Sequence, residues 1–92
     1  MTEKRARVEE VLALLGVDPA LLDELRQEGL FEEDWVEPDT AEELRVAASL
    51  VRDLGVNPAG VDVVLHLRRR LLVLEERMSE SLRRLLSELE SR

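Results

Sequence analysis

Cysteine is absent from the 92-residue sequence. This absence excludes disulfide bonds, metal sites built on thiolates and a cysteine nucleophile, and it is compatible with the cytoplasm. Long hydrophobic runs are also absent, and the residues at the N-terminus alternate in charge without leading into an apolar stretch. We therefore expect a cytoplasmic protein with neither a membrane span nor a signal peptide.

Aromatic residues are nearly absent, because Phe31 and Trp35 are the only two and tyrosine is missing. Arginine, glutamate and leucine dominate instead, which is typical of helices joined by tight turns. A chain of this length forms one domain with a modest core, so a second copy would add to its stability. In such a small core, we expect Trp35 to fill the space between an irregular segment at 30–38 and the helix that follows it.

Glycine and proline are scarce, and two similar hexamers hold most of them: LGVDPA from Leu15 and LGVNPA from Leu54. Glycine readily adopts the left-handed conformation that ends a helix, whereas Asp or Asn followed by proline favours the start of the next one. Thr40 and Glu43 have the spacing of a capping box at the start of another helix. The sequence therefore predicts four helices, over about 2 or 3 to 15, 19 to 28, 40 to 54, and 58 onward.

Apolar residues recur at helical spacing within the predicted helices, as Val8, Leu12 and Leu15 do in the first. The three-residue corner between the first two helices gives them the spacing of a helix-turn-helix. Between 30 and 38 the chain is irregular, and a short β-hairpin or wing fits there. The predicted fold is mainly all-α, with a winged helix-turn-helix-like domain over 1–57 and a long C-terminal dimerisation helix over 58–92, together forming a single structural unit.

The fourth predicted helix is too long for the small domain. Its apolar positions are spaced mostly three or four residues apart, with one stutter near Met78, and no Gly or Pro interrupts them after Gly60. Such a helix would be about 50 Å long, and its apolar seam favours a homodimer through a parallel or antiparallel coiled coil. The alternative is that the residues after Ser79 fray, since serine is a mediocre helix former. The expected dimerisation residues are Val64, Leu67, Leu71, Leu74, Met78, Leu82, Leu85 and Leu89.

Negative charge is concentrated in the middle of the chain. Between Asp18 and Glu43 eleven acidic residues accompany a single base, Arg26, whereas the rest of the chain is slightly basic. An acidic surface repels phosphate and attracts basic protein surfaces over roughly one Debye length, about 8 Å at physiological salt. The charge pattern therefore counts against a nucleic-acid partner.

A helix-turn-helix, an irregular wing, a third helix, the LGVNPAGV corner and a long last helix, in this order, resemble the MerR-type winged-helix proteins. The segment DLGVNPAGVDVVLHLRRRLLVLEERM, from Asp53 to Met78, is especially similar to HspR-type heat-shock repressors and to chaperone modulators of the CbpM and DafA type. The MerR resemblance implies Arg and Tyr residues for DNA contacts in and after the second helix and in the wing. Here that helix carries only Arg26, and the wing LFEEDWVEPD carries no Arg, Lys or Tyr. DNA binding through this face is therefore not expected.

The acidic face matches the chaperone-modulator branch of this resemblance. That branch implies binding to the J-domain of a DnaJ-class co-chaperone, to DnaK, or to both, and J-domains present a basic helical face. Two alternatives remain, namely that the acidic run is only a solvated loop, or that the protein is a MerR- or HspR-type DNA-binding transcription regulator. The residues expected to bind the chaperone partner are Phe31, Glu32, Glu33, Asp34, Trp35 and Glu37.

No catalytic, cofactor or metal site is expected. Acidic residues are plentiful, but a catalytic pair needs a partly desolvated cleft, and the glycines do not form a phosphate-binding loop. The single histidine, His66, cannot make a metal site by itself. Arg68, Arg69 and Arg70 fan across about 200° of a helix, so solvated positions beside the seam explain them better than a nucleic-acid patch. The sequence thus predicts a non-enzyme that takes no small molecule.

Overall fold

The computed structural model describes residues 4–91. Within this range four helices and two short strands follow one another along the chain. They are β1 (Ala6–Arg7), α1 (Val8–Leu14), α2 (Ala20–Gln27), β2 (Trp35–Val36), α3 (Pro38–Leu54) and α4 (Pro58–Glu90). The prediction of a mainly α-helical fold with four helices and a long last helix is confirmed.

The first helix begins later than the sequence predicts. Residues 2 and 3 lie outside the described part of the chain, and α1 starts only at Val8. The predicted start is wrong because the preceding residues form β1, which pairs antiparallel with β2, with Arg7 opposite Trp35. Val8 extends this pairing, since its backbone N–H donates to the carbonyl of Asp34 at 2.9 Å. Strand pairing thus engages backbone groups that a longer helix would have needed for its own hydrogen bonds.

Both hexamers end one helix and begin the next, as predicted. The glycines at their second positions have left-handed φ values of 70° and 66°. In the first corner Oδ1 of Asp18 accepts a hydrogen bond from the N–H of Ala20 at 2.9 Å. In the second corner Oδ1 of Asn57 accepts from the N–H of Gly60 at 2.8 Å. These side chains satisfy backbone donors that the start of a helix leaves without a partner.

The third helix starts before the predicted Thr40. α3 begins at Pro38, with Glu37 as its extended N-cap residue, so the predicted capping box between Thr40 and Glu43 is wrong. Proline suits this position because its fixed φ is helical and its missing N–H needs no partner in the first turn. The helical hydrogen bonds follow at once, since the N–H of Ala41 donates to the carbonyl of Glu37 at 2.8 Å.

The wing is a loop between α2 and α3 that ends in β2, rather than a separate hairpin. Its strand partner is β1, so the wing is joined to the segment that precedes α1. Successive side chains in a strand point to opposite faces, and Val36 is accordingly 3% exposed while Trp35 is 43% exposed. The prediction that Trp35 fills the core is therefore wrong. Leu30 and Val36 anchor the wing in the core instead.

One apolar core joins all four helices. α4 contributes Val61 and Leu65 from its first turns, and neither side chain has any exposed surface. Ala47 of α3 is also fully buried, and its small side chain lets neighbouring helices approach closely. The start of α4 is therefore part of the core of the small domain. The whole buried cluster comprises Val8, Leu12, Leu21, Leu22, Leu25, Leu30, Val36, Leu44, Ala47, Val61 and Leu65.

Two arginines of α4 contact glutamates of α3. Arg69 donates two hydrogen bonds to the carboxylate of Glu43, one of them at 3.0 Å, and this bonding raises the pKa of Arg69. A nitrogen of Arg68 lies 4.0 Å from Oε1 of Glu42. Arg69 and Arg70 are exposed, as the interpretation of the arginine triplet as solvated positions expects, whereas Arg68 is partly buried. These contacts reinforce the apolar packing of α4 on α3.

Beyond the domain, α4 continues as a single helix. It remains helical to Glu90, so the alternative in which the chain frays after Ser79 is wrong. Its 33 residues give it a length of about 50 Å. All residues from 69 to 91 are exposed to solvent.

Candidate functional site

Arg26, the only base on α2, is engaged by the wing. Its Nε donates to the carbonyl of Phe31 at 2.8 Å, and its Nη2 donates to the carbonyl of Glu33 at 3.2 Å. The same Nη2 lies 3.4 Å from Oδ1 of Asp34. Phe31 has a left-handed backbone with φ 52°, which is strained for a residue with a side chain. Arg26 therefore stabilises the path of the wing, and its Nε and Nη2 donors are engaged within the molecule.

The outer surface of α2 is acidic. The three leucines of this helix are buried in the core, while Asp23, Glu24 and the following Glu28 are exposed. In a helix-turn-helix that binds DNA, the second helix enters the major groove beside the phosphates. This α2 presents negative charge at that surface, and its one arginine is already bonded within the molecule.

A cleft of about 430 Å³ opens beside the wing. Asp34, one of the six residues predicted to bind a partner, does not line it, because its carboxylate faces Arg26. Arg5, which precedes β1, contributes to the wall. Two aromatic rings and three carboxylates thus surround one opening, an arrangement suited to a basic side chain and unsuited to a phosphate. The five predicted residues that line the cleft are Phe31, Glu32, Glu33, Trp35 and Glu37.

Trp35 contacts two arginines that sequence reasoning missed. The guanidinium carbon of Arg5 lies 4.9 Å from the centroid of the Trp35 ring, and that of Arg7 lies 5.2 Å from it. Both distances are within the range of cation–π contacts. Pairing of β1 with β2 brings these distant parts of the chain together, so the wing face carries mixed charge and not the purely negative charge that its own residues predict. Residues 5–7 alternate between arginine and alanine, but this stretch is too short for a strand to be predicted from it.

α4 presents a second candidate surface along its predicted seam. Seven large apolar side chains lie there at heptad-like spacing and are each between 54% and 59% exposed. Within residues 4–91 nothing covers this stripe, and exposed apolar patches are typical of interaction surfaces. Val64, the remaining member of the predicted seam, is half-buried. The seven exposed members are Leu67, Leu71, Leu74, Met78, Leu82, Leu85 and Leu89.

The single histidine lies on the surface of α4. Nδ1 of His66 is 2.9 Å from the carbonyl oxygen of Asp62 and 3.2 Å from a carboxylate oxygen of the same residue. Across residues 4–91 no three His, Cys, Asp or Glu side chains are grouped so that they would hold a metal ion. No helix in the described part of the chain combines the length and apolar character needed to cross a membrane.

Comparison with known protein families agrees with this architecture. Residues 6–84 match the model of the family described as MerR HTH family regulatory protein. No curated protein and no solved structure shows significant similarity to the chain. The matched range begins in β1, includes the helix-turn-helix, the wing and α3, and extends through most of α4. Because the match takes in every element that builds the fold, the chain belongs to the MerR helix-turn-helix family of regulatory proteins.

Proposed function

We propose that this protein is a non-enzymatic chaperone modulator that binds the J-domain of a DnaJ-class co-chaperone, DnaK, or both. One observation carries the proposal: Arg26, the only base on α2, is bonded to the wing, while Asp23, Glu24 and Glu28 are exposed. Much of the affinity of a DNA-binding protein comes from cationic contacts to phosphate. A member of the MerR family with this acidic surface is better suited to a basic protein surface than to DNA.

Charge and apolar contact have different roles in the proposed binding cleft. Glu32, Glu33 and Glu37 supply negative charge, while Phe31 and Trp35 supply apolar surface. Protein interfaces gain most of their affinity from a few anchors such as tryptophan, whereas charges at the rim mainly set the association rate and specificity. We therefore expect loss of the Trp35 ring to speed dissociation of the partner. Loss of the glutamates should chiefly slow association.

A homodimer through α4 is part of this proposal. The support for it is the stripe of seven half-exposed apolar residues, whose spacing is that of a coiled coil. Pairing would remove this stripe from water, which is the main driving force for association of such helices. A dimer would also carry two wing clefts, and two linked sites bind a partner with more than one basic surface more strongly than one site does.

Charge reversal in the wing tests the proposed site. A protein carrying Glu32→Lys and Glu33→Lys should lose binding to the J-domain while its helical circular dichroism is retained. Asp34 is left unchanged because its carboxylate faces Arg26 and supports the wing. The matched control carries Glu80→Lys and Glu88→Lys, which make the same charge change at exposed positions of α4 and should bind as the wild type does. Undiminished binding by the wing variant would rule out this site.

A second measurement separates the chaperone modulator from a DNA-binding transcription regulator, the other function considered for this fold. We expect a fluorescence titration to show binding of the J-domain. Selection from a random duplex library at physiological salt should recover no preferred sequence, because the surface of α2 repels phosphate. Tight and specific binding of any duplex would overturn the proposal.

A further inference from the structure

Arg5 lies inside the cleft that the proposed function assigns to the partner. Its guanidinium carbon is 4.9 Å from the centroid of the Trp35 ring. It lines the same cleft as the carboxylates of Glu32, Glu33 and Glu37. A guanidinium group from the chain itself therefore already occupies a place where a basic partner would insert a side chain.

The surroundings of Arg5 have the chemistry of a guanidinium site. The flat, delocalised cation of arginine stacks on an aromatic face and offers a fork of donors to carboxylates, which the compact ammonium group of lysine does not. The cleft is nevertheless open, since Trp35 and the three glutamates are exposed. Ion pairs and cation–π contacts at exposed positions are individually weak. The attachment of Arg5 to β1 keeps its effective concentration at the cleft high, and this favours occupancy although each contact is weak.

We propose that the cleft binds an arginine side chain of a protein partner, and that the side chain of Arg5 occupies the same site in the free protein. The identity of the partner rests on the proposed function, whereas the chemistry of the site rests on the contacts of Arg5. An incoming arginine must displace Arg5, so the apparent affinity of the cleft falls in proportion to the fraction of molecules in which the cleft is free. This factor is the same for every ligand that enters the cleft, so a partner needs further contacts along the wing to bind tightly.

Trp35 provides a direct test because it is the only tryptophan in the chain, so its fluorescence reports on this site. A triarginine peptide titrated into the full-length protein at physiological salt should change this fluorescence. Arg5→Ala should bind the peptide about fivefold more tightly, as expected if Arg5 occupies the cleft in about four fifths of the molecules. Arg84→Ala is the matched control, because it removes the same charge from an exposed position of α4 and should bind as the wild type does.

Two further comparisons identify the group that the site recognises. Trilysine should bind the Arg5→Ala protein more weakly than triarginine does, because it lacks the planar fork. Arg5→Lys should lie between the wild type and Arg5→Ala in its affinity for triarginine, with unchanged helical circular dichroism. Equal or weaker binding of triarginine by Arg5→Ala would overturn the inference.

The J-domain separates a failure of this inference from a failure of the proposed function. If Arg5→Ala strengthens triarginine binding but the J-domain does not bind, the arginine site stands and the proposed function is wrong. If the J-domain binds the wild type and Arg5→Ala with the same affinity, Arg5 does not occupy the site of a partner side chain. The inference is then overturned while the proposed function stands.

Discussion

A charge placed on the seam of α4 should dissociate the proposed homodimer. Leu74 is 54% exposed and lies within the stripe of seven seam residues. Leu74→Asp places a carboxylate where the apolar seam of a second copy would cover it. Val73→Asp is the matched control, because Val73 is similarly exposed at 49% on the same helix but points away from the seam.

The size of the effect follows from the exposed area. Full burial of a leucine side chain stabilises a folded protein or a complex by about 1.5–3 kcal/mol. Covering the exposed half of Leu74 therefore contributes about 1 kcal/mol to the stability of the dimer from each copy. A partly buried carboxylate adds a penalty of at least about 1 kcal/mol in each copy. Because both copies carry the substitution, the dimer loses about 4 kcal/mol, which raises its dissociation constant about a thousandfold.

Sedimentation equilibrium and thermal unfolding over a wide range of protein concentration measure this effect. The wild type and Val73→Asp should sediment as dimers, and their unfolding midpoints should rise with concentration because association stabilises the folded state. Leu74→Asp should sediment as a monomer with a midpoint that does not depend on concentration. A monomeric wild type, or a Leu74→Asp protein that stays dimeric, would refute the reasoning.

Substitutions at three further positions, with controls, test the packing at fixed protein concentration. Leu65→Ala removes a side chain with no exposed surface, so urea unfolding should show a loss of about 2–5 kcal/mol, and a loss below about 1 kcal/mol would contradict its place in the core. Arg26→Ala leaves two wing carbonyls without their donor and should cost about 1–3 kcal/mol by the same assay. Arg26→Lys should recover little of the lost stability, because lysine lacks the planar fork of guanidinium donors. Full recovery would show that only the positive charge matters. Gly60→Ala places a Cβ 2.8 Å from Cγ1 of Val56, so thermal unfolding should show destabilisation of about 1 kcal/mol. Ser79→Ala is the control, because it lies at an exposed position of α4 and should be neutral or slightly stabilising. A stabilised Gly60→Ala protein would show that the contact relaxes freely.

The helical corners could be predicted from the sequence because the chemistry that forms them is local. A left-handed glycine ends a helix through its own backbone, and Asn57 begins the next through a hydrogen bond three residues along the chain. The exposed stripe on α4 was predictable for the same reason, since heptad-like spacing is a property of one helix. In each case the determining contacts lie within a few residues of one another.

Contacts between distant segments could not be predicted in this way. A two-residue strand has no periodicity to detect, so neither β1 nor its pairing with the wing was expected. That pairing turns Val36 inward and Trp35 outward, and it brings Arg5 to the cleft. The bonds between Arg69 and Glu43 were missed for the same reason, because they join different helices. The acidic residues of the cleft were therefore identified, while the cation that accompanies them was not.

One continuous helix both completes the core and projects far beyond it. The sequence has no Gly or Pro after Gly60, so α4 contains no built-in hinge. The 25 residues of α4 that follow Leu65 span about 38 Å, and a tilt of about 5° at the core would displace the far end by roughly 3 Å. A rearrangement too small to disrupt packing around Val61 and Leu65 would therefore be amplified by the rigid α4 into a displacement of its tip comparable to the rise of about two helical residues.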